Sequence, residues 1–182
     1  MEDARSDNRK DAPDARMAIP KDARACFICS KHHSPEARGM AVYEDAYVVA
    51  SLMIAGAEER RAYLGYAIVE TKRHAPALGD LHAQEAGAVG EAMNRVSAAL
   101  RKALNAEHVY AFVQGDGVPH FHMHLVPRYT GTPDRYRHPV NILQWPDAPR
   151  GGAAELEAIR DSVRAALANV DEASCGRGEP AS

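Results

Sequence analysis

The chain is 182 residues long with a mass of 19.8 kDa, the size of one compact domain with tails. An apolar fraction of 46% and a charged fraction of 26% are ordinary for a soluble globular protein that buries a core without a disulfide lattice. The formal net charge of -3 speaks against a general nucleic-acid binder, since no basic excess exists to displace counterions.

Residues 1–22 alternate acidic and basic side chains with almost nothing to bury, so they read as a disordered leader without the apolar core of a secretion signal. The folded domain is expected over residues 23–170, including a C-terminal extension from about 130, with a disordered tail over 171–182. Tyr47 to Met53 and Ala62 to Glu70 are β-branched and aromatic runs of strand length. The longest apolar runs, Tyr47 to Ile54 and Tyr66 to Val69, are too short to span a bilayer. A long helix follows, with Asp80 as N-cap, Asn105 near its end, and an apolar stripe through Val89, Met93, Val96, Leu100 and Ala103. Strands at His108 to Gln114 and His120 to Arg128 are joined by a tight Gly115-Asp116-Gly117 turn. A Pro- and Arg-rich connection leads to a last helix with Leu156, Ile159, Val163, Leu167 and Val170 on one face. These elements make an α+β domain with a mostly antiparallel sheet. Three cysteines, two of them spaced Cys-x-x-Cys, suit a reducing compartment, and a cytoplasmic protein is expected.

The sharpest feature is the segment His120-Phe121-His122-Met123-His124-Leu125-Val126. Successive strand side chains point to opposite faces, so the three histidines share one face and Phe121, Met123 and Leu125 pack the other. That puts three imidazoles in a row on an open surface. Two chemistries compete for them. Neutral imidazoles at alternate positions bind a transition metal such as zinc. Alternatively, one imidazole is a nucleophile that forms a covalent intermediate while its neighbours bind an anionic substrate.

The pattern HFHMHLV resembles the signature of the histidine triad (HIT) family of nucleotide-binding hydrolases and transferases. Cys26-Phe27-Ile28-Cys29 resembles the opening of many bacterial members, and Val42-Tyr43-Glu44-Asp45 the family's first strand and turn. Gly65-Tyr66-Ala67-Ile68-Val69-Glu70-Thr71-Lys72-Arg73-His74 resembles its Gly-His-apolar-Pro-Lys-x-His segment, so the likeness covers about residues 25–130. It implies a five-stranded antiparallel sheet with a long helix on one face, an additional C-terminal helix, and a homodimer. It also implies that His122 attacks the α-phosphorus of a nucleotide, with a nucleotidyl-imidazole adduct then released to water or another acceptor. His124 would donate a hydrogen bond to the reacting phosphate. Gln114 matches an amide residue that contacts substrate or orients the nucleophile, as against a solvent-facing strand end.

Cys26-x-x-Cys29 has the spacing of a zinc half-site. In zinc-bearing relatives the other two ligands are the residues matching His74 and His120, so the resemblance implies one structural zinc per chain. Such a site contributes on the order of 10 kcal/mol to folding. His32 and His33 are alternative ligands, a redox couple is another use of the cysteines, and two metal-free thiols are the plain alternative.

Several residues depart from the family pattern. Tyr66 stands where the family has histidine, Glu70-Thr71 replaces the strand-end proline, and Ser51-Leu52-Met53-Ile54 offers no acidic or amide side chain for the ribose hydroxyls. The backbone donors of Gly115 and Gly117 are the candidate phosphate holders. In the extension, Arg135, Arg137, His138, Trp145 and Arg150 are candidates to reach the substrate, with Trp145 either stacking on a base or sugar or anchoring the core. The substrate classes implied are phosphoramidates, dinucleoside polyphosphates and nucleotide sugars. The competing function is a zinc-stabilised nucleotide sensor or adaptor with little turnover. A hydrolase using a triad-bound metal ranks behind both for want of nearby carboxylates.

Overall fold

Residues 26–54, 61–115 and 117–175 are described in the computed structural model; the expected leader and the Gly-flanked Asp116 lie outside them. The elements in chain order are α1 (Phe27–Lys31), α2 (Pro35–Gly39), β1 (Ala41–Glu44), β2 (Val48–Leu52), β3 (Ala62–Tyr63) and β4 (Ala67–Thr71). They continue with α3 (Ala83–Leu104), β5 (His108–Phe112), β6 (His122–Arg128), β7 (Arg150–Gly151) and α4 (Ala153–Cys175). Five strands form one antiparallel sheet in the order β1-β2-β4-β6-β5, while β3 and β7 pair separately.

Alternation decides which face of the sheet is buried under helices. Val48, Ala50 and Leu52 on β2, Ala67 and Val69 on β4, and Phe121 and Leu125 on or beside β6 enter one core. Val89, Ala92, Val96, Ala99 and Leu100 of α3 and Val163, Ala166 and Leu167 of α4 close it from above. Both long helices therefore cover the same face, as the expected stripes require. Met93, Ala103 and Ile159 pack at the margin of that core. No helix among the described residues is long and apolar enough to cross a membrane.

The structure corrects four local expectations. The run Ala62 to Glu70 is two strands in different sheets, because Gly65 takes φ +76° and turns the chain between Tyr63 and Ala67. The long helix starts after His82, whose N–H is accepted by the Glu85 carboxylate at 2.9 Å. Asp80 instead closes the preceding turn, accepting from the Ala77 N–H at 3.0 Å, while Asn105 ends the helix in the left-handed conformation with φ 49°. Pairing of β5 and β6 stops at Phe112 and His124 and β6 begins at His122, so the joining segment is longer than a tight Gly-Asp-Gly turn and His120 lies outside the strand. Lastly, α4 continues to Cys175, into the residues expected to begin a disordered tail.

Gly65 is constrained twice, by its positive φ and by the close approach of Leu104 and Pro127 to the position a Cβ would occupy. Gly65→Ala is expected to destabilise the domain by about 1–3 kcal/mol. Urea unfolding of the two proteins measures this, and an unchanged midpoint would contradict it.

Candidate active site and metal centre

Since the helices cover one face of the sheet, the alternate residues face the other way. Directly opposed residues of antiparallel strands share a face, so the register builds two rows there. Val49, Glu70 and His122 form one row; Ser51, Ile68, His124 and Phe112 form the next.

The expected open row of imidazoles is corrected by burial. His120 is 1% exposed and His124 9%, and only His122 is half-exposed to solvent. His120 is covered by the α1 loop, with the His32 ring edge-on at 6.0 Å and the His74 ring edge-on at 5.2 Å. His124 is covered by Phe112, whose ring stacks on it at 5.1 Å and 17°. A residue that follows the strand alternation is still buried when another element lies over that face.

Each histidine has a different job in the hydrogen-bond network. His120 Nε2 lies 2.7 Å from the Thr71 carbonyl, so it carries the proton and donates there, leaving the Nδ1 lone pair free. That Nδ1 lies 3.4 Å from Cys26 Sγ and 3.5 Å from Cys29 Sγ, and His74 Nδ1 lies 3.6 Å from Cys29 Sγ. Zinc bonds of about 2.3 Å to sulfur and about 2.0–2.1 Å to nitrogen in a tetrahedron put the two ligand atoms about 3.6 Å apart. All four donor atoms lie within 4.8 Å of one another. Cys26, Cys29, His74 and His120 thus fit a zinc ion in number, chemistry and spacing. Burial, and then the neighbouring Cys26, push the Cys29 thiol up to about 11. A bound dication would remove that obstacle to two thiolates side by side.

His122 has the opposite tautomer. Its Nδ1 donates to the His120 carbonyl at 2.7 Å, which leaves Nε2 with a free lone pair. His124 Nδ1 lies 2.5 Å from the Tyr66 hydroxyl, and its Nε2 is buried with no hydrogen-bond partner among the described residues. Burial, and then His122, hold the His124 pKa below its ordinary value; the nearby Gln114 carbonyl and Glu70 pull the other way. The two rings meet edge-to-face at 5.1 Å.

This combination of a cluster fit for a metal and two differently wired histidines on one strand agrees with a family comparison. The HIT domain family model matches residues 34–131. The chain belongs to the HIT family.

Solved HIT structures share the fold at low identity. A Zn-bound histidine triad family protein from Mycobacterium smegmatis is 22% identical, with a TM-score of 0.61 over 83% of this chain and 99% of that one. A hypothetical histidine triad nucleotide-binding protein from Sulfolobus tokodaii is 20% identical, with a TM-score of 0.64 over 86% of this chain and 100% of that one. The Plasmodium falciparum diadenosine triphosphate hydrolase is 14% identical, with a TM-score of 0.50 over 74% of this chain and 78% of that one. No curated protein matches the chain in sequence.

Against the HIT pattern, the remaining expected residues are distributed unevenly. Gln114 brings its carbonyl near His124, although its side chain is exposed; Gly115 and Gly117 are exposed in the same connection. Trp145 is half-buried and packs with Tyr66, Phe112 and Tyr129 around Tyr63, Val126, Ile142 and Ala148. Val126 shares the histidine face, so this second cluster walls one side of the site. Of the extension's basic residues, Arg137 pairs with Glu107 and Asp134, Arg150 donates to the Leu143 carbonyl, and Arg135 lies over the Tyr136 ring. None of these contacts directs a guanidinium at His122. His32 is not in the metal cluster, because its Nε2 lies 3.2 Å from Glu70 Oε2.

Glu70 and Tyr66 are the residues the motif reading left without a role. Glu70 is 2% exposed, opposes His122 directly across the strands, and is held by Lys31 and His32 from α1. The sequence signal was a carboxylate ending an otherwise apolar strand. Burial alone would raise the Glu70 pKa, yet His32 and Lys31 together outweigh it and hold the carboxyl below its usual range. A depressed carboxylate stabilises the fold fully above its ordinary pKa, and that stabilisation is lost as pH falls through the folded value. Glu70→Gln is expected to cost about 1–3 kcal/mol near neutral pH. In urea unfolding, the gap between the two proteins should narrow on acidification; a gap that widens would refute the assignment.

Proposed function

We propose that the protein is a HIT-type nucleotidyl hydrolase or transferase acting at the α-phosphate of a nucleotide through a covalent nucleotidyl-His122 intermediate. The observation that carries this reading is the Nδ1–H of His122 on the His120 carbonyl, which leaves Nε2 as a free nucleophilic lone pair on the strand. Nε2 attacks phosphorus, an N–P bond forms, and the bond to the leaving group breaks with its electron pair departing on that group. The ring becomes cationic as this proceeds. Its bond to the His120 carbonyl strengthens at that moment, and the buried Glu70 carboxylate across the strand pair opposes the new positive charge. Water then attacks the adduct and frees the nucleoside monophosphate and the imidazole; another acceptor in place of water makes the reaction a transfer.

His124 supplies a donor to the phosphate oxygens, with Gln114, Gly115 and Gly117 near the same end of the strand and Trp145 in the adjoining wall. The substrate classes are phosphoramidates, dinucleoside polyphosphates and nucleotide sugars, and the diadenosine triphosphate hydrolase among the structural relatives keeps the second class in view. Cys26, Cys29, His74 and His120 would hold one structural zinc, which ties the α1 loop and the end of β4 to the catalytic strand. A zinc-bearing structural relative supports the same ion. The homodimer and the reducing cytoplasm are part of this reading through the family and the free thiols.

Release of nucleoside monophosphate from the three substrate classes should be measured for native protein and His122→Ala in parallel. The variant is expected to lose turnover by about 10³-fold or more while keeping nucleotide affinity. Substantial residual turnover would remove His122 as nucleophile, and tight binding without turnover by native protein would favour the sensor. Metal analysis is expected to give about one zinc per chain, with His74→Ala lowering both metal content and melting temperature. A metal-free preparation that is folded and active would sink the structural role.

A further inference from the structure

Tyr66 replaces a histidine of the family pattern, and its hydroxyl lies 2.5 Å from His124 Nδ1. Two proton arrangements satisfy that contact. In the first, the phenol donates to the Nδ1 lone pair and the imidazole proton sits on Nε2. In the second, Nδ1–H donates to the phenol oxygen, the phenol's own proton needs another acceptor, and the Nε2 lone pair needs a donor. Among the described residues Tyr66 has no other hydrogen-bond acceptor, and His124 Nε2 has no partner within hydrogen-bond distance, the Gln114 carbonyl being the backbone acceptor nearby. The first arrangement therefore leaves one buried group unpaired and the second leaves two.

We propose that Tyr66 is a positioning residue that holds His124 in the Nε2–H tautomer, so that a buried, unpartnered donor is reserved for a phosphate oxygen beside His122. This deepens the nucleotidyl-transfer reading and rests on it for the identity of the anion. The geometry makes the donor specific. Phe112 stacked on one face fixes the ring plane, and the edge-to-face contact with His122 keeps both rings against the same small volume. An unpaired buried N–H is a deficit that an anionic oxygen relieves and an apolar ligand does not. Burial pushes the Tyr66 hydroxyl up to about 12, so it retains the proton it donates at neutral pH. Tyr66 also packs in the Ile142 and Val126 cluster with Trp145, which holds the phenol against the extension.

The test uses the full-length protein labelled with 15N, native and as Tyr66→Phe and Tyr66→His, with His124→Asn to assign the His124 resonances. Long-range 1H–15N spectra of native protein are expected to show His124 protonated at Nε2, with an Nδ1 signal displaced from the free-lone-pair position by its hydrogen bond. In Tyr66→Phe that signal should move to the free-lone-pair position. On whichever substrate native protein turns over, Tyr66→Phe should lower kcat about tenfold with KM within a few-fold, less than outright loss of an oxyanion donor. Tyr66→His, which restores an N–H donor, should recover most of the loss. A native His124 protonated at Nδ1, or a Tyr66→Phe protein with unchanged kcat and an unmoved Nδ1 signal, overturns the proposal. The expected spectra in a protein silent on every substrate support the Tyr66 assignment and overturn the nucleotidyl-transfer reading instead.

Discussion

His120 is the residue on which the rest of the site depends, because each of its polar groups is committed to a different element. Its Nε2–H is given to the Thr71 carbonyl at the end of β4, its Nδ1 faces the two cysteine sulfurs of the α1 loop, and its own carbonyl receives the His122 Nδ1–H. One imidazole thereby sets the orientation of the metal cluster and the tautomer of its neighbour two residues away. Turning this ring over would present an N–H to the thiolates and withdraw the acceptor at Thr71. Both changes strand buried polar groups, so the ring has one low-energy orientation.

The division of the sheet into two faces explains how so much polar chemistry survives beside a small apolar core. The helix-covered face takes alanines, valines and leucines from every central strand and seals them with α3 and α4. The opposite face takes Glu70, His122 and His124, each of which is buried or half-buried and none of which packing would select. Their polar groups are met locally instead. Lys31 and His32 answer the Glu70 charge, and the His120 carbonyl answers His122. The exception is His124 Nε2, which is buried without a hydrogen-bond partner among the described residues.

The C-terminal extension acts on the site through packing more than through charge. Its arginines are engaged with carboxylates, carbonyls and a tyrosine ring along the outer surface. Its apolar residues Ile142, Leu143 and Trp145 gather Tyr66, Tyr110 and Phe112 against Val126. Two of those aromatics, Tyr66 and Phe112, touch the His124 ring, one through its hydroxyl at Nδ1 and the other stacked on its face. In the folded chain this basic segment packs, through its apolar residues, behind the aromatics that touch the His124 ring.

The α+β class, the antiparallel sheet, the two amphipathic helices and the four residues that gather into a cluster fit for zinc were legible in the sequence. The reason is that period-2 and period-3.6 burial patterns and a Cys-x-x-Cys spacing are local properties, and the family motif joins His74 and His120 to the cysteines across long separations. Tertiary structure decided what local pattern leaves open. Gly65 split an apparently continuous strand because a single positive φ outweighs eight residues of strand propensity. Burial of His120 came from α1, distant in sequence, and burial of His124 from the Phe112 ring of the neighbouring strand β5 stacking on it. The pairing of Glu70 with His122 and of Tyr66 with His124 exists only through the β4–β6 register and the turn before it. Residue type and spacing identify which imidazoles have chemistry to do, whereas tautomer and proton position follow from partners that only the folded chain brings within hydrogen-bond reach.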